Sequence, residues 1–312
     1  MQWDHIEHQL HEKDFWAFLT KQKKRLDDPD PAIRIDLIFD TLFADKNGHN
    51  AFFQIQKKLK EGDKNKTVDE IWGEVQDAFN RFYEWYSHDE LFHLTGFHLT
   101  QEISTISKLL KESKENHRSA FIGNLKLEII QKFLKKDKGL KPWQEWDYQE
   151  DYKNVKKLLI LFNIGLHQQN GTRFPFELQD NWTLEHIHAQ NQQDISPEDK
   201  DKLSKFYQLE EGSFLQDESK DDLIHTVGNL TLLSQSLNSG IGNKIFALKR
   251  KTILESRDSY VPLGTYQVFS KAYSQNNIQM HIWTGDDQTA YIERMDSTIC
   301  SLLNLNDTEH KK

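Results

Sequence analysis

A single cysteine, Cys300, stands in 312 residues. That excludes an intrachain disulfide framework and any zinc knuckle built on cysteines. No apolar run approaches the roughly 18 residues that cross a bilayer. The opening residues, Met1-Gln-Trp-Asp-His5, lack the basic and then apolar build of a signal peptide. The expectation is a cytoplasmic protein with no membrane contact. No internal repeat, low-complexity tract or Walker-type phosphate loop is present, so nucleotide hydrolysis is not assigned to the chain. Positive charge is not in excess either. The net charge of −9 argues against a chain that coats itself in nucleic acid, although binding uses local patches.

What is there can bury a core. The length suits one large or two modest domains, and eight Trp with nineteen Phe supply packing material. Charged residues at 29% and a mean hydropathy of −0.77 imply a polar surface. The pattern predicts a mainly α protein: a helical domain over residues 1–142 and an α+β domain over 143–312.

The first of these reads as helical throughout. Asp27-Asp-Pro-Asp-Pro31 is a break and a helix start, since Pro is tolerated in a first turn. Thr67-Val-Asp-Glu70 is a capping box. Val68, Ile71, Trp72, Val75, Phe79, Phe82, Tyr83 and Tyr86 follow it as one apolar stripe. Such stripes are core far more often than cofactor sites. His5, His8 and His11 share a helical spacing, but no carboxylate arrangement supports a metal there. Lys135, Lys136, Lys138 and Lys141, with Gly139 and Pro142, mark a loop and the domain boundary. A helix over 149–166 turns Val155, Leu158, Leu159 and Phe162 inward, and residues 307–312 read as a frayed tail.

The remainder is organised around residues 181–251. Residues 182–187 alternate and read as a short strand ending at Glu185-His186. Thr226-Val-Gly-Asn-Leu-Thr-Leu-Leu233 reads as a second strand with a bend or bulge at Gly228-Asn229. Between them Ser196-Pro-Glu-Asp199 starts a helix, giving a helical insertion at about 192–222. Ser234 caps a helix bearing Asn238, nine residues after Asn229 and ended by Gly240 and Gly242. The next helix buries Ile245, Leu248 and Ile253 or Leu254, with Lys249, Arg250 and Lys251 near its exposed side. Over residues 225–271 six basic residues stand against two acidic ones, a net of +4.

This order of groups suits phosphodiester hydrolysis. That reaction needs a hard cation on the phosphate, a base for water and a rigid backbone to bring them together. Glu185 and Asn238 offer oxygen ligands for Mg²⁺ or Mn²⁺. His186 offers the base, and the Asn229 amide can tie the bend together.

Glu185-His186-Ile and Gly228-Asn-Leu-Thr-Leu-Leu233 with Leu237-Asn238-Ser resemble the two halves of the HNH, or ββα-metal, nuclease motif. With Glu-His-Ile-His188-Ala-Gln190 and Asn243-Lys244-x-Phe246-x-x-Lys249, the pattern is similar to the C-terminal region of GmrSD-type modification-dependent restriction and anti-phage proteins. The helical first part resembles the region before that nuclease, as in Arg34-Ile-Asp-Leu-Ile-Phe-Asp40. The resemblance implies Glu185 and Asn238 as metal ligands, His186 as general base and Asn229 as the structural residue of the loop. His188, His225 and Asn243 would support the site. Lys244, Lys249, Arg250 and Lys251 would contact the nucleic acid. Two departures stand out: Ala189 replaces the usual proline, with His188 before it, and the gap between the motif halves is long. His188 can therefore displace or supplement His186.

Such proteins usually begin with a ParB-like nucleotide-binding domain carrying an Asp-Gly-Gln-Gln-Arg type motif, which is missing here. The expectation is a separate nuclease subunit, a truncated product or a fragment, with DNA, modified or not, as substrate and a ParB-like NTPase as partner. Two other readings stay open: a non-catalytic nucleic-acid-binding or subunit-docking module, and a zinc site on His186, His188 and His225. Glu and Asn are poor company for structural zinc.

Overall fold

The computed structural model describes residues 2–20, 32–44, 51–60, 67–134, 142–189, 196–207, 224–242, 244–256, 260–274 and 280–305. Two units are present. The first comprises Met1–Phe133 with Pro175–Glu177, and the second Leu134–Phe174 with Leu178–Lys312. The lysine-rich loop at 135–141, the break at 27–31 and the tail at 307–312 lie outside the described residues.

The first unit is helical: α1 (Gln2–His11), α2 (Lys13–Leu19), α3 (Ala32–Phe43), α4 (Ala51–Lys60), α5 (Val68–Ser87), α6 (Asp89–Thr100), α7 (Ile106–Glu115) and α8 (Arg118–Ile129). Helix α5 starts at the expected capping box, with Thr67 accepting from the Glu70 amide and Glu70 reaching back. Its stripe is rotated from the one read in the sequence. Ile71, Val75, Phe79 and Phe82 are buried together with Ala78 and Trp85, while Val68 and Tyr83 face solvent. A first-turn residue such as Val68 lies beyond the reach of the core.

Helix α6 is buried on nearly every side. Its Gly96 is needed there, because a Cβ would meet the Phe176 ring at 2.3 Å. His5, His8 and His11 are exposed along α1, and His8 lies 3.8 Å from Glu12.

The second unit is built on α9 (Tyr152–Gln169), which buries Val155, Leu158, Leu159 and Phe162 on one side and Ile160, Leu161, Ile164 and Leu166 on others. A helix buried all round is a core element. Strands β1 (Trp182–His186) and β2 (Leu230–Ser234) follow, separated in sequence by α10 (Pro197–Tyr207); α11 (Gln235–Ile241), α12 (Phe246–Glu255), α13 (Leu263–Phe269) and α14 (Gly285–Leu303) complete the chain. The strands are antiparallel, pairing Trp182 with Ser234, Glu185 with Thr231 and His186 with Leu230. The result is mainly α, with a two-stranded sheet carrying the motif.

Strand β2 begins four residues later than the sequence suggests. Residues Val227–Asn229 form a turn of 3-10 helix rather than a bulged strand. The reason is the Asn229 side chain, which bonds outside the ladder. Gly228 is also closely packed, since a Cβ there would lie 3.0 Å from Gln288 Cβ and 3.1 Å from Ile292 Cδ1. The Trp283 indole donates to the Gly228 carbonyl at 3.3 Å. In the insertion, Ser196 accepts from the Asp199 amide at 3.1 Å, the expected cap of α10. Leu203 of α10 packs on Ile245, Ala247 and Leu248, and the Tyr207 hydroxyl donates to the Ala247 carbonyl at 3.1 Å.

Candidate functional site

Strand, strand and helix place the site. Ser234 ends β2 and caps α11 by accepting from the Leu237 amide at 3.3 Å. No connecting loop intervenes, so α11 is rigidly joined to the sheet. The Asn238 amide nitrogen donates back to β1, to Thr183 Oγ1 at 2.9 Å and Leu184 O at 3.4 Å. Its oxygen, the atom a hard cation would take, stays outside this bonding. Helix α11 ends as Gly242 turns to φ +56°, a conformation that favours glycine, and α12 follows at once.

Asn229 is fully buried. Its Oδ1 accepts from the His188 amide at 2.8 Å, and its Nδ2 donates to His188 O at 3.1 Å and Ile224 O at 2.8 Å. The Ile187 amide donates to Asn229 O at 2.8 Å. One residue thus binds the strand carrying Glu185-His186 to the turn entering β2. His188 is buried and held through its backbone. Asn243 lies outside the described residues.

Glu185 and His186 close β1. The Glu185 side chain is 12% exposed and its Oε1 lies 2.6 Å from Lys249 Nζ. Burial raises the Glu185 carboxyl above the usual range, and the Lys249 ammonium opposes this. Burial likewise lowers Lys249, opposed by Glu185. His186 Nε2 faces His225 Nδ1 at 3.3 Å. Burial, with His225, Lys249 and His188 nearby, pushes the His186 imidazole down to about 4. It is therefore neutral at neutral pH, the state a proton acceptor requires.

The loop before α9 contributes groups that the sequence did not single out. An isolated bridge pairs Asp147 with Thr226, and the Tyr148 amide donates to His225 O at 2.8 Å. The Tyr148 ring lies 4.6 Å from that of His186, and Gln149 Nε2 lies 3.2 Å from His225 Nε2. Burial, with Tyr152 and Glu185 nearby, raises the Tyr148 hydroxyl, which stays protonated. A Trp-Asp-Tyr-Gln run in the sequence carries no mark of this placement.

The expected exposed basic face of α12 is corrected. Lys249 and Arg250 are buried, because Lys249 turns onto the end of β1, where Glu185 and His186 accept from it, and Arg250 turns onto α10. The Arg250 guanidinium sits 5.6 Å from the Tyr207 ring centroid. Lys251 is half-buried and pairs with Glu255, and Lys244 Nζ lies 3.4 Å from Gly240 O.

Glu185 and Asn238 each carry a side-chain oxygen of the kind a hard divalent cation takes. Among the described residues, the group that gathers three ligating side chains is Asp147, Glu150 and Asp151. There Asp147 Oδ1 accepts the Gln149 and Glu150 amides at 2.8 and 2.9 Å, which forms the turn presenting Tyr148. His186, His188 and His225 do not make such a group among the described residues.

The family model of the GmrSD restriction endonucleases, C-terminal domain, matches residues 135–292, just over half of the chain and all of this site. The chain belongs to that family. As a GmrSD restriction endonuclease family member it has DNA as its substrate class. No curated protein and no solved structure matches the chain. Among the described residues, no helix is long and apolar enough to cross a membrane.

Proposed function

We propose that the chain is a divalent-metal-dependent HNH endonuclease that hydrolyses or nicks DNA in restriction and anti-phage defence. The observation that supports this most is convergence on one strand end. Glu185 and His186 close β1, and Asn238 is hydrogen-bonded back onto β1 from α11. Glu185 and Asn238 would hold Mg²⁺ or Mn²⁺, which when bound supplies Lewis-acid polarisation of the phosphate and charge stabilisation on the leaving oxygen.

The protein groups then act as follows. His186 Nε2 is engaged by His225, which leaves Nδ1 to take the proton of the attacking water. The water oxygen bonds to phosphorus as the ester P–O bond breaks, and the leaving oxygen acquires a proton from solvent. Asn229 holds the bend that fixes His186 beside the turn. Tyr148 covers one face of the imidazole and limits its rotation. Lys244 and Lys251 are the phosphate contacts nearest the surface, and a ParB-like NTPase is the partner that would select or deliver the DNA.

Incubating supercoiled plasmid DNA, modified and unmodified, with Mg²⁺ or Mn²⁺ tests this. Wild-type protein is expected to nick or cut it, and Glu185→Gln and Asn238→Ala to lose that activity while remaining folded. Absence of cleavage under every metal and on every substrate, with DNA binding retained, would favour the non-catalytic binding or docking module instead.

A further inference from the structure

The Lys249 ammonium is an unusual group to find at this place. Its side chain is 1% exposed, and a buried lysine keeps its charge only if its donors are satisfied. Two acceptors satisfy it, and they belong to consecutive residues. Nζ lies 2.6 Å from Glu185 Oε1 and 2.6 Å from the main-chain oxygen of His186. From this geometry we infer that Lys249 is a positioning residue for the metal ligand and the base together. It pins one carboxylate oxygen of Glu185 and the peptide carbonyl of His186, and it leaves the second carboxylate oxygen to the cation.

Three observations carry this. First, the contact is made from α12, a different element from the strand that bears both site residues. It fixes the strand end in space and does not merely continue the strand's own bonding. Second, α12 is held there by packing: Ile245, Ala247 and Leu248 pack on Leu203 of α10, and Phe246 stacks on Phe269 at 5.4 Å. The ammonium is thus delivered by a rigid helix. Third, stability alone gives no reason for a buried ion pair, since an apolar pair of similar volume is often as stable. An apolar pair could not orient a carboxylate. Partners that orient ligands in this way typically change metal affinity or activity by about 10–100-fold when removed.

The inference rests on the metal-dependent reading above, and it replaces a phosphate contact by Lys249 with a role inside the protein. The two roles separate in measurement. An ammonium next to Glu185 also repels a divalent cation. Charge alone therefore predicts tighter Mn²⁺ binding once Lys249 is neutral, whereas pinning predicts weaker binding.

The experiment is isothermal titration of the full chain with Mn²⁺ alone, for wild type and Lys249→Met. It is paired with the salt dependence of DNA binding in EDTA and with kcat and KM for plasmid nicking. The expected result is Mn²⁺ affinity about 10-fold or more weaker in Lys249→Met. The kcat should fall while KM for DNA and the salt slope stay at wild-type values. Lys249→Arg, which retains the charge and several N–H donors, should recover part of the Mn²⁺ affinity. Unchanged or tighter Mn²⁺ binding in Lys249→Met overturns the inference. So does a salt slope reduced by about one, the signature of a lost phosphate contact. If Lys249→Met does not fold, Lys249→Gln, which keeps a donor for one acceptor and lacks the charge, is read against the same two criteria. Wild-type protein that neither binds Mn²⁺ nor cleaves DNA sinks the underlying nuclease reading. Wild-type protein that does both while Lys249→Met binds Mn²⁺ normally sinks only this inference.

Discussion

His186 Nε2 and His225 Nδ1 face each other at 3.3 Å, with Gln149 Nε2 a further 3.2 Å from His225 Nε2. The three side chains form a chain of ring and amide groups ending at His186, the proposed base. In this amide orientation Gln149 donates, the His225 proton sits on Nδ1, and His186 Nε2 accepts it. Turning the amide over reverses the order. His225 thus fixes the tautomer of His186, and the reversed order, in which His186 Nε2–H donates to His225 Nδ1, is the one that leaves His186 Nδ1 free to take a proton. His225→Ala should lower kcat by about 10–100-fold with KM for DNA unchanged, and His225→Asn should recover part of the loss. Single-turnover cleavage with saturating protein measures it. A wild-type rate in His225→Ala would remove His225 from the site.

His186→Ala should reduce cleavage by about 10²–10⁴-fold without altering the melting temperature. Cleavage that survives in His186→Ala and vanishes in His188→Ala would move the base to His188. The pH profile adds a second check. A base pushed down to about 4 is already neutral at pH 6. The rate should therefore not fall on this account until the pH approaches that value, where the protonated ring can no longer accept. An acid limb centred near the ordinary value of about 6.5 would show that the imidazole is not desolvated as the fold implies.

Asn229→Ala should be among the most destabilising single changes in the second unit. It removes three side-chain hydrogen bonds inside a fully buried site and leaves a buried amide and two carbonyls without that partner. A cost of about 2–4 kcal/mol is expected. Asn229→Asp, which keeps the acceptor and loses the donors, should cost a comparable amount. Urea denaturation followed by tryptophan fluorescence reads the change, and a loss under about 0.5 kcal/mol would show that the bend is held by other groups.

A separate acid sensitivity resides in the first unit. His98 is fully buried, its Nε2 3.0 Å from Leu125 O and its Nδ1 3.6 Å from Glu128. Burial lowers it to about 4, with the Leu125 carbonyl and Glu128 opposing and Lys108 and Lys132 assisting. The native state therefore binds this proton less readily than the unfolded chain does. Stability on this account is full above the unfolded value and declines as pH falls from about 6.5 to about 4, by on the order of 3 kcal/mol. His98→Gln, which cannot be protonated, should lose less stability than wild type across that interval. Equal acid sensitivity in both proteins would assign the effect elsewhere.

Much of the candidate site is legible as local structure because its groups announce themselves by local chemistry. Ser234 and Thr67 were readable as caps, since a hydroxyl before an apolar-periodic run has one common use. Glu185-His186 and the Asn229–Asn238 spacing were readable as a set because they occur in order around strand-like segments. Three things escaped. The burial of Lys249 depends on β1 and that of Arg250 on α10, and contacts across such long stretches of chain leave no periodic mark on 246–255. Tyr148 and Gln149 reach the histidines through one isolated bridge, and a single long-range pair has no sequence signature. The onset of β2 was misplaced because Leu-Thr-Leu-Leu predicts a strand, while the Asn229 side chain claims the backbone partners just before it. In the first unit the stripe of α5 was correct in period, but which of its members were buried was set by neighbouring helices.

The three bonds of the Asn229 amide have a topological consequence. They bring residues 188 and 224 to a single point, so the 35 residues between them leave the site and return to it through one carboxamide. Whatever that excursion contains, its ends are fastened independently of its contents. Doubling the length of such a detour costs only about 0.6 kcal/mol in chain entropy. The detour can thus be lengthened around α10 at little cost while its ends, at β1 and at the turn before β2, remain clamped together.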